Sequence, residues 1–158
     1  MMTETMGALL RKQPFVEGLD EDEVVKLAEL AEVVPCKSGA IILNEGQVST
    51  HFFLIVTGSV ALELVPPTGV VRMDTLGAGD EFGWSSVMGR ASVFQSRALT
   101  DVELIGFDAV KLRALCESDT DFGFKLMRRL LDVVTDRLHV TRVHLMDSYW
   151  PVAKRAGA

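Results

Sequence analysis

The chain has 158 residues, 48% of them hydrophobic and 24% charged, with a formal net charge of −6 at pH 7. That length allows one domain with a sizeable core and perhaps one further element, and that balance excludes a disordered chain. The negative sign argues against non-specific attraction to nucleic acid or to an anionic membrane, and no basic stripe contradicts it.

Along the chain, Leu19-Asp20-Glu21-Asp22-Glu23-Val24 opens a helix. Asp20 can cap its free N–H groups, Glu23 can reach back, and Leu19 can pack on Val24. Val24, Leu27, Ala28 and Ala31 then fall on one face, so the helix is expected to lie against a core. From Val33 the period changes. Short apolar runs follow at 33–34, 41–43, 52–56, 60–65, 70–76, 93–99 and 102–107, most of them bounded by Gly, Pro or Asn-Glu-Gly. That pattern predicts an all-β barrel or jelly roll, with Pro66-Pro67-Thr68-Gly69 as a hairpin turn. After Asp108 the helical period returns. It predicts a short helix over 109–117, a fresh cap at Ser118-Asp119-Thr120-Asp121, and a long helix to about Ser148, ended by Pro151. Along that helix Phe124, Met127, Leu131, Val134, Leu138, Thr141 and Leu145 alternate at spacings of three and four, the pattern of a short coiled coil.

Cys36 and Cys116 stand far apart in no metal-type spacing and read as buried, unpaired thiols of a cytosolic protein. The N-terminus lacks the basic-then-apolar pattern of a signal peptide, so a cytoplasmic location is expected. The longest uncharged stretch, 46–62, carries His51, Thr57, Gly58 and Ser59 and reads as two strands and a turn, not a membrane span. His51, His139 and His144 form no ligand set, and no nucleophile–base pair, acid pair or Walker-type loop is present. Neither a metal nor an enzymatic activity is expected.

The most informative stretch is Gly77-Ala78-Gly79-Asp80-Glu81-Phe82-Gly83-Trp84-Ser85-Ser86, running on to Leu99-Thr100-Asp101. It reads as a glycine-punctuated loop, a short helical turn, a second loop and a strand, and such a turn points N–H groups inward, where they can hold an anion. With Gly39, Glu45-Gly46 and Gly58 upstream, it resembles the cyclic nucleotide-binding domain family of catabolite activator protein and protein kinase A regulatory subunits. The resemblance spans roughly residues 14–148, on the usual size of such a domain. It implies a mainly β fold, a cyclic nucleotide-binding β-roll of jelly-roll, cupin-like type with flanking helices and a long C-terminal dimerisation helix. Residues 1–118 would then be the helical lead-in and sensor roll, 119–150 the dimer helix and 151–158 a flexible tail.

In that family the turn reads Phe-Gly-Glu, the Glu taking the ribose hydroxyl, and a later Arg pairs with the cyclic phosphate. Here Trp84 follows Phe82-Gly83, and counting back from Ala98-Leu99-Thr100-Asp101 the Arg position falls on Ser92, next to Val93, in a loop one residue short. The resemblance is thus to a stand-alone domain with a degenerate phosphate cassette. Backbone N–H groups over 83–86 and the hydroxyls of Ser85 and Ser86 can cradle a phosphate or carboxylate; the glycines can equally serve only to turn a barrel corner. Trp84 can stack on a ligand ring, but its size and apolarity favour filling the cavity. Arg90 and Arg97 are the candidates to replace the missing cation. Arg97 is expected to point away, since Phe94, Ser96 and Ala98 alternate as the inner face. The resemblance places Thr141 where the dimer helix offers a hydroxyl to the base, although a polar seam residue can equally set register. Arg142, in place of a small polar residue, can cross the dimer to an acidic group.

Two functions follow as expectations. One is a sensor that binds a small anion, cAMP or cGMP among the candidates, and signals through a homodimer helix over 124–148. The other is a ligand-free interaction module with Trp84 filling the pocket. The sequence ends at Ala158 with no helix-turn-helix behind the roll, so output is expected through a protein partner or the dimer helix, not through DNA.

Overall fold

The structure, a computed structural model, describes residues 5–149. The chain starts with α1 (Met6–Arg11), capped by Thr5, then a 3₁₀ turn (Pro14–Val16) and α2 (Glu21–Ala28). The expected capping box at α2 is formed. The Asp20 carboxylate accepts from the Glu23 N–H at 2.8 Å, and the Glu23 carboxylate from the Asp20 N–H at 3.0 Å. Val24 and Leu27 are buried as the helical period required. Ala31 is not on that helix; it opens β1 (Ala31–Cys36), because the helix has already ended at Ala28.

Seven more strands follow: β2 (Ile41–Leu43), β3 (His51–Thr57), β4 (Val60–Leu64), β5 (Val71–Leu76), β6 (Glu81–Phe82), β7 (Gln95–Ala98) and β8 (Val102–Asp108). They form two antiparallel four-stranded sheets, ordered β1-β8-β3-β6 and β2-β7-β4-β5. The hairpin turn at 66–69 is present, its Gly69 N–H donating to the Pro66 carbonyl at 3.1 Å. Val93 and Phe94, expected in a strand, lie just ahead of β7. β6 lies within the stretch whose glycines predict a loop; two residues are too few to show a period.

The apolar runs of β3 and β8 have no polar face because their sheet is covered on both sides. Phe52, Leu54, Ile105 and Phe107 pack toward the helices, with Leu10, Leu27, Leu112, Phe122 and Leu126. Their neighbours Phe53, Ile55, Val102 and Leu104 pack between the two sheets, with Val60, Leu62, Leu76, Phe82 and Ala98.

α3 (Ala109–Ser118) and α4 (Thr120–Tyr149) complete the described chain. Asp108 caps α3 by accepting from the Lys111 N–H at 3.0 Å, and Asp119 caps α4 by accepting from the Phe122 N–H at 3.2 Å. α4 buries Phe122, Gly123, Leu126, Leu130 and Val133. Gly123 lets the two helices meet, since a Cβ there would stand 2.5 Å from the Cys116 carbonyl oxygen. Lys125 joins Glu23 at 2.5 Å, and Arg129 donates to the carbonyls of Pro14 and Phe15. No residue of α4 after Val133 is buried. Meanwhile Phe124, Leu131, Leu138 and Leu145, spaced by sevens, are 66%, 66%, 67% and 56% exposed. No helix among the described residues is long and apolar enough to cross a membrane. Pro151 and the tail 151–158 lie outside the described residues.

Candidate functional site

The site is built on the end of β6. Phe82 pairs with Phe53 of β3, and their rings lie 5.2 Å apart. Gly83 then turns the chain at φ 81°, where a side chain is strained; a Cβ would also come within 3.2 Å of the His51 carbonyl oxygen and a Leu43 methyl. This left-handed residue starts the expected helical turn, a 3₁₀ segment over Trp84–Met88 that ends at a second left-handed glycine, Gly89. The turn is internally bonded. Ser86 donates to the Gly83 carbonyl through both its N–H (3.1 Å) and its hydroxyl (2.6 Å). The Arg90 N–H donates to the Ser85 carbonyl at 2.9 Å.

The opposite wall is Ser92, pinned between two backbone bonds. Its N–H donates to the Gln47 carbonyl at 2.8 Å, and its own carbonyl accepts from the Gly46 N–H at 2.9 Å. Five of the expected residues, Gly83, Trp84, Ser85, Ser92 and Val93, therefore line one cavity, together with Leu62, Phe82, Phe94 and Ser96. The cavity is only about 10 Å³. A single water needs roughly that much room. Trp84 is half-buried, and it also packs against the core cluster on the helix side of the roll.

Every side chain lining this cavity is neutral. Arg90 is exposed and is not among the lining residues. Arg97 takes the outward face, as the strand alternation predicted, while Ser96 and Ala98 of the same strand are buried. Its Nε donates to Glu63 Oε1 at 3.1 Å, and Gln95 Nε2 donates to the same oxygen at 3.0 Å. An anionic ligand here would have no countercharge in contact, which a buried charge requires. Ser86 is buried behind the turn and not on the cavity wall. Thr141 and Arg142, both on α4, do not line the cavity either; the Thr141 hydroxyl donates to the Arg137 carbonyl at 2.9 Å, and Arg142 is exposed.

Sequence reading missed Glu63, Asp74 and Arg137. Glu63 left one trace, a single carboxylate inside the apolar run of β4. Asp74 of β5 accepts from Arg137 of α4 at 2.8 Å, and nothing local in either segment announces that pair. His51 sits against Glu32, with Nε2 3.0 Å from its carboxylate, and no group of three or more His, Cys, Asp or Glu able to hold a metal occurs among the described residues.

Two stacked antiparallel sheets, a glycine-led 3₁₀ turn at the cavity and a long trailing helix define a β-roll with a C-terminal helix. The family model for the cyclic nucleotide-binding domain matches residues 33–119, and the chain belongs to the cyclic nucleotide-binding domain family. Among solved structures, a cyclic nucleotide-binding domain from Methylobacillus flagellatus KT is similar at a TM-score of 0.76 and 20% identity, over 91% of this chain and 82% of that one. Thermus thermophilus catabolite activator protein is similar at a TM-score of 0.69 and 21% identity, over 84% and 62% of the two chains. Glutaminase 1 of Bradyrhizobium diazoefficiens is 34% identical over 134 residues, which is 83% of this chain and 21% of that protein. The chain thus spans about a fifth of the length of that curated relative.

Proposed function

We propose that this is a regulatory module of the family whose nucleotide cavity is closed by its own side chains and whose output runs through α4. The observation that carries this is the cavity itself, about 10 Å³ and walled by neutral groups where the relatives' motif has an acid and an arginine. The exposed stripe on α4 supports pairing with a second copy. Residues 138–149 extend about 18 Å past Arg137 at the usual helical rise, and a helix that short is marginal alone in water. Four large apolar residues on one line are a seam for a like helix. The two free thiols, Cys36 and Cys116, support a cytoplasmic location.

Likeness to one part of Glutaminase 1 supports an accessory role beside an enzyme, and a glutaminase is the partner class to test first. Co-elution with such an enzyme and a changed rate of glutamine hydrolysis would support it; no co-elution and no change would remove it.

The deciding experiment is calorimetry of the nucleotide-free protein against cAMP and then cGMP. No heat at millimolar ligand is the expected result. Micromolar binding would mean that the turn opens and that Ser85, Ser86 or Arg90 supplies the missing contacts, and the closed-cavity reading would fall to the anion-sensor one.

A further inference from the structure

The strand order places β8 between β1 and β3, and one side chain bridges the outer two. His51 of β3 reaches across Gly106 of β8 to Glu32 of β1, its Nε2 3.0 Å from Glu32 Oε1. Gly106 keeps that path clear. A Cβ there would come within 3.2 Å of Val34 and 3.3 Å of Phe53, and would stand 3.4 Å from the imidazole Cδ2. Phe53 stacks on the same ring, with centroids 6.0 Å apart and planes at 26°. The imidazole is thus held by a carboxylate, an aromatic ring and bare backbone, with 28% of the His51 side chain left exposed.

The other ring nitrogen meets a hydroxyl. Thr50 Oγ1 lies 2.8 Å from His51 Nδ1. Glu32, as a carboxylate, can only accept, so the neutral ring carries its proton on Nε2 and leaves Nδ1 to accept from the Thr50 hydroxyl. Carboxylate, imidazole and hydroxyl then stand in the order and proton sense that activate a hydroxyl nucleophile. Thr50 is exposed yet anchored. Its carbonyl accepts from the Ala109 N–H at 3.0 Å, against the first turn of α3, and Ser49 exchanges hydrogen bonds of 2.8 and 3.1 Å with the His51 backbone. The sequence showed no such pair because the carboxylate that orients the imidazole comes from another strand.

We infer that Thr50 is a covalent acceptor site, its hydroxyl activated by His51 and its acyl group supplied by an activated ester or thioester. Thr50 Oγ1 attacks the carbonyl carbon, its proton passes to His51 Nδ1, and the C–O or C–S bond to the leaving group breaks. Glu32 steadies the imidazolium, which then returns its proton to the leaving anion, and an ester on Thr50 remains. The surroundings suit an acyl donor better than a phosphoryl one. Glu32 and Asp108, the residue opposite His51 on β8, put two carboxylates at this corner, where they repel a multiply charged donor, and Lys111 of α3 offsets only one of these charges. The site adjoins the nucleotide motif, since a Cβ on Gly83 would lie 3.2 Å from the His51 carbonyl oxygen. It gives the module an input separate from the cavity beside Trp84.

The test treats the full protein with p-nitrophenyl acetate and follows p-nitrophenolate release, intact mass and the acetylated peptide. A single acetyl group on Thr50 is expected, formed more slowly in acid as His51 gains a proton and Nδ1 stops accepting, with Glu32 and Asp108 the titrating neighbours. Thr50→Val should abolish that adduct and Thr50→Ser should keep it. His51→Gln should slow acetylation of Thr50 about a hundredfold or more, the share of a positioned general base. Glu32→Gln should slow it only about twofold to fivefold, because that carboxylate is 64% exposed. Circular dichroism confirms that each variant is folded; should His51→Gln fold poorly, Thr50→Val and the wild-type pH profile decide. Acetyl groups confined to lysines, release unchanged in Thr50→Val, or equal rates at Thr50 in wild type and His51→Gln would each overturn the assignment.

Discussion

Arg97 and Glu63 close on each other across the β4–β7 pair, Nε to Oε1 at 3.1 Å, on the face of β7 opposite Ser96. Arg97, one of the two arginines expected as candidates for the family's phosphate contact, is therefore engaged outside the cavity. The two partners are not equally placed: the Glu63 side chain is 6% exposed and that of Arg97 is 32%. Arg97→Leu strands the more buried charge and should cost about 2–4 kcal/mol, even with Gln95 still donating. Glu63→Leu leaves an arginine that can turn to water and should cost less, about 1–2 kcal/mol. Urea midpoints with unchanged slopes would check the order; a reversed order would mean that Arg97 is held by something other than this carboxylate.

The cavity lacks both volume and a cation, so neither defect corrected alone should restore nucleotide binding. Ser92→Arg by itself adds charge to a space with no room. Trp84→Glu by itself removes the indole but supplies no partner for a phosphate. The double change should give measurable cAMP binding in the high-micromolar range, where calorimetry shows none for either single variant; a charge-assisted arginine pair contributes on the order of 2–3 kcal/mol. Absence of any gain would show that the frame beneath Trp84 has itself moved.

Leu138 is 67% exposed, so in a single chain its replacement by Asp should change stability by less than about 0.5 kcal/mol. In a paired seam the same change puts a charge between two apolar helices. Leu138→Asp is expected to sediment as a monomer at concentrations where the wild type is a dimer, with its roll still folded. Identical sedimentation of the two proteins would remove 124–148 as the dimer helix.

Acid should loosen the helical end first. The Lys26 hydrogen bond, and after it the Phe122 N–H, holds the Asp119 carboxyl below its usual range, and the Lys111 N–H does the same for Asp108. A depressed carboxyl contributes stability that is present above its unfolded value, near pH 4, and lost as pH falls through the lower folded value. Lys26 is raised by the same pair, so its share is present below the unfolded lysine value and lost as pH rises through the folded one. Glu81 acts oppositely to the caps: its raised value costs stability as pH rises past the ordinary carboxyl range, and acid relieves that cost. Asp119→Asn should therefore flatten the fall in melting temperature between about pH 4 and pH 2, and Glu81→Gln should raise the melting temperature near neutrality. Parallel curves for wild type and Asp119→Asn would show that the cap carries no pH-linked stability.

Burial, aided by Glu117, pushes the Cys116 thiol up to about 11, and burial also raises Cys36. At pH 8 about one Cys116 in a thousand is then a thiolate. A disulfide-exchange reagent should titrate Cys116 in the native protein only slowly, and both thiols at once in denaturant. Fast native labelling at position 116 would mean that the α3–α4 corner opens.

Much of the fold was legible because its signals are local. Capping at Asp20 and Asp119, the turn at 66–69, the glycine-punctuated loop leading into the helical turn at Trp84 and the sevenfold repeat on α4 each lie within a short stretch of sequence. The helix before β1 was read too long because Ala31 suits either period, and β6 was missed because two residues show none. Of the candidate site, Gly83, Trp84, Ser85, Ser92 and Val93 line one cavity, while Ser86, Arg90, Thr141 and Arg142 do not.

By itself the sequence determined the family and the order of strands and helices apart from β6, and it puts Trp84 and Ser92 where the family's motif implies an acid and an arginine. Period, capping and motif are properties of neighbouring residues, and they survive being read along a line. Only the tertiary structure decided that the cavity beside Trp84 is about 10 Å³, that Arg97 answers to Glu63 from 34 positions away, and that Arg137 answers to Asp74 from 63. Volume and ion pairing are set by which surfaces meet in space, and that depends on how the two sheets and α4 pack.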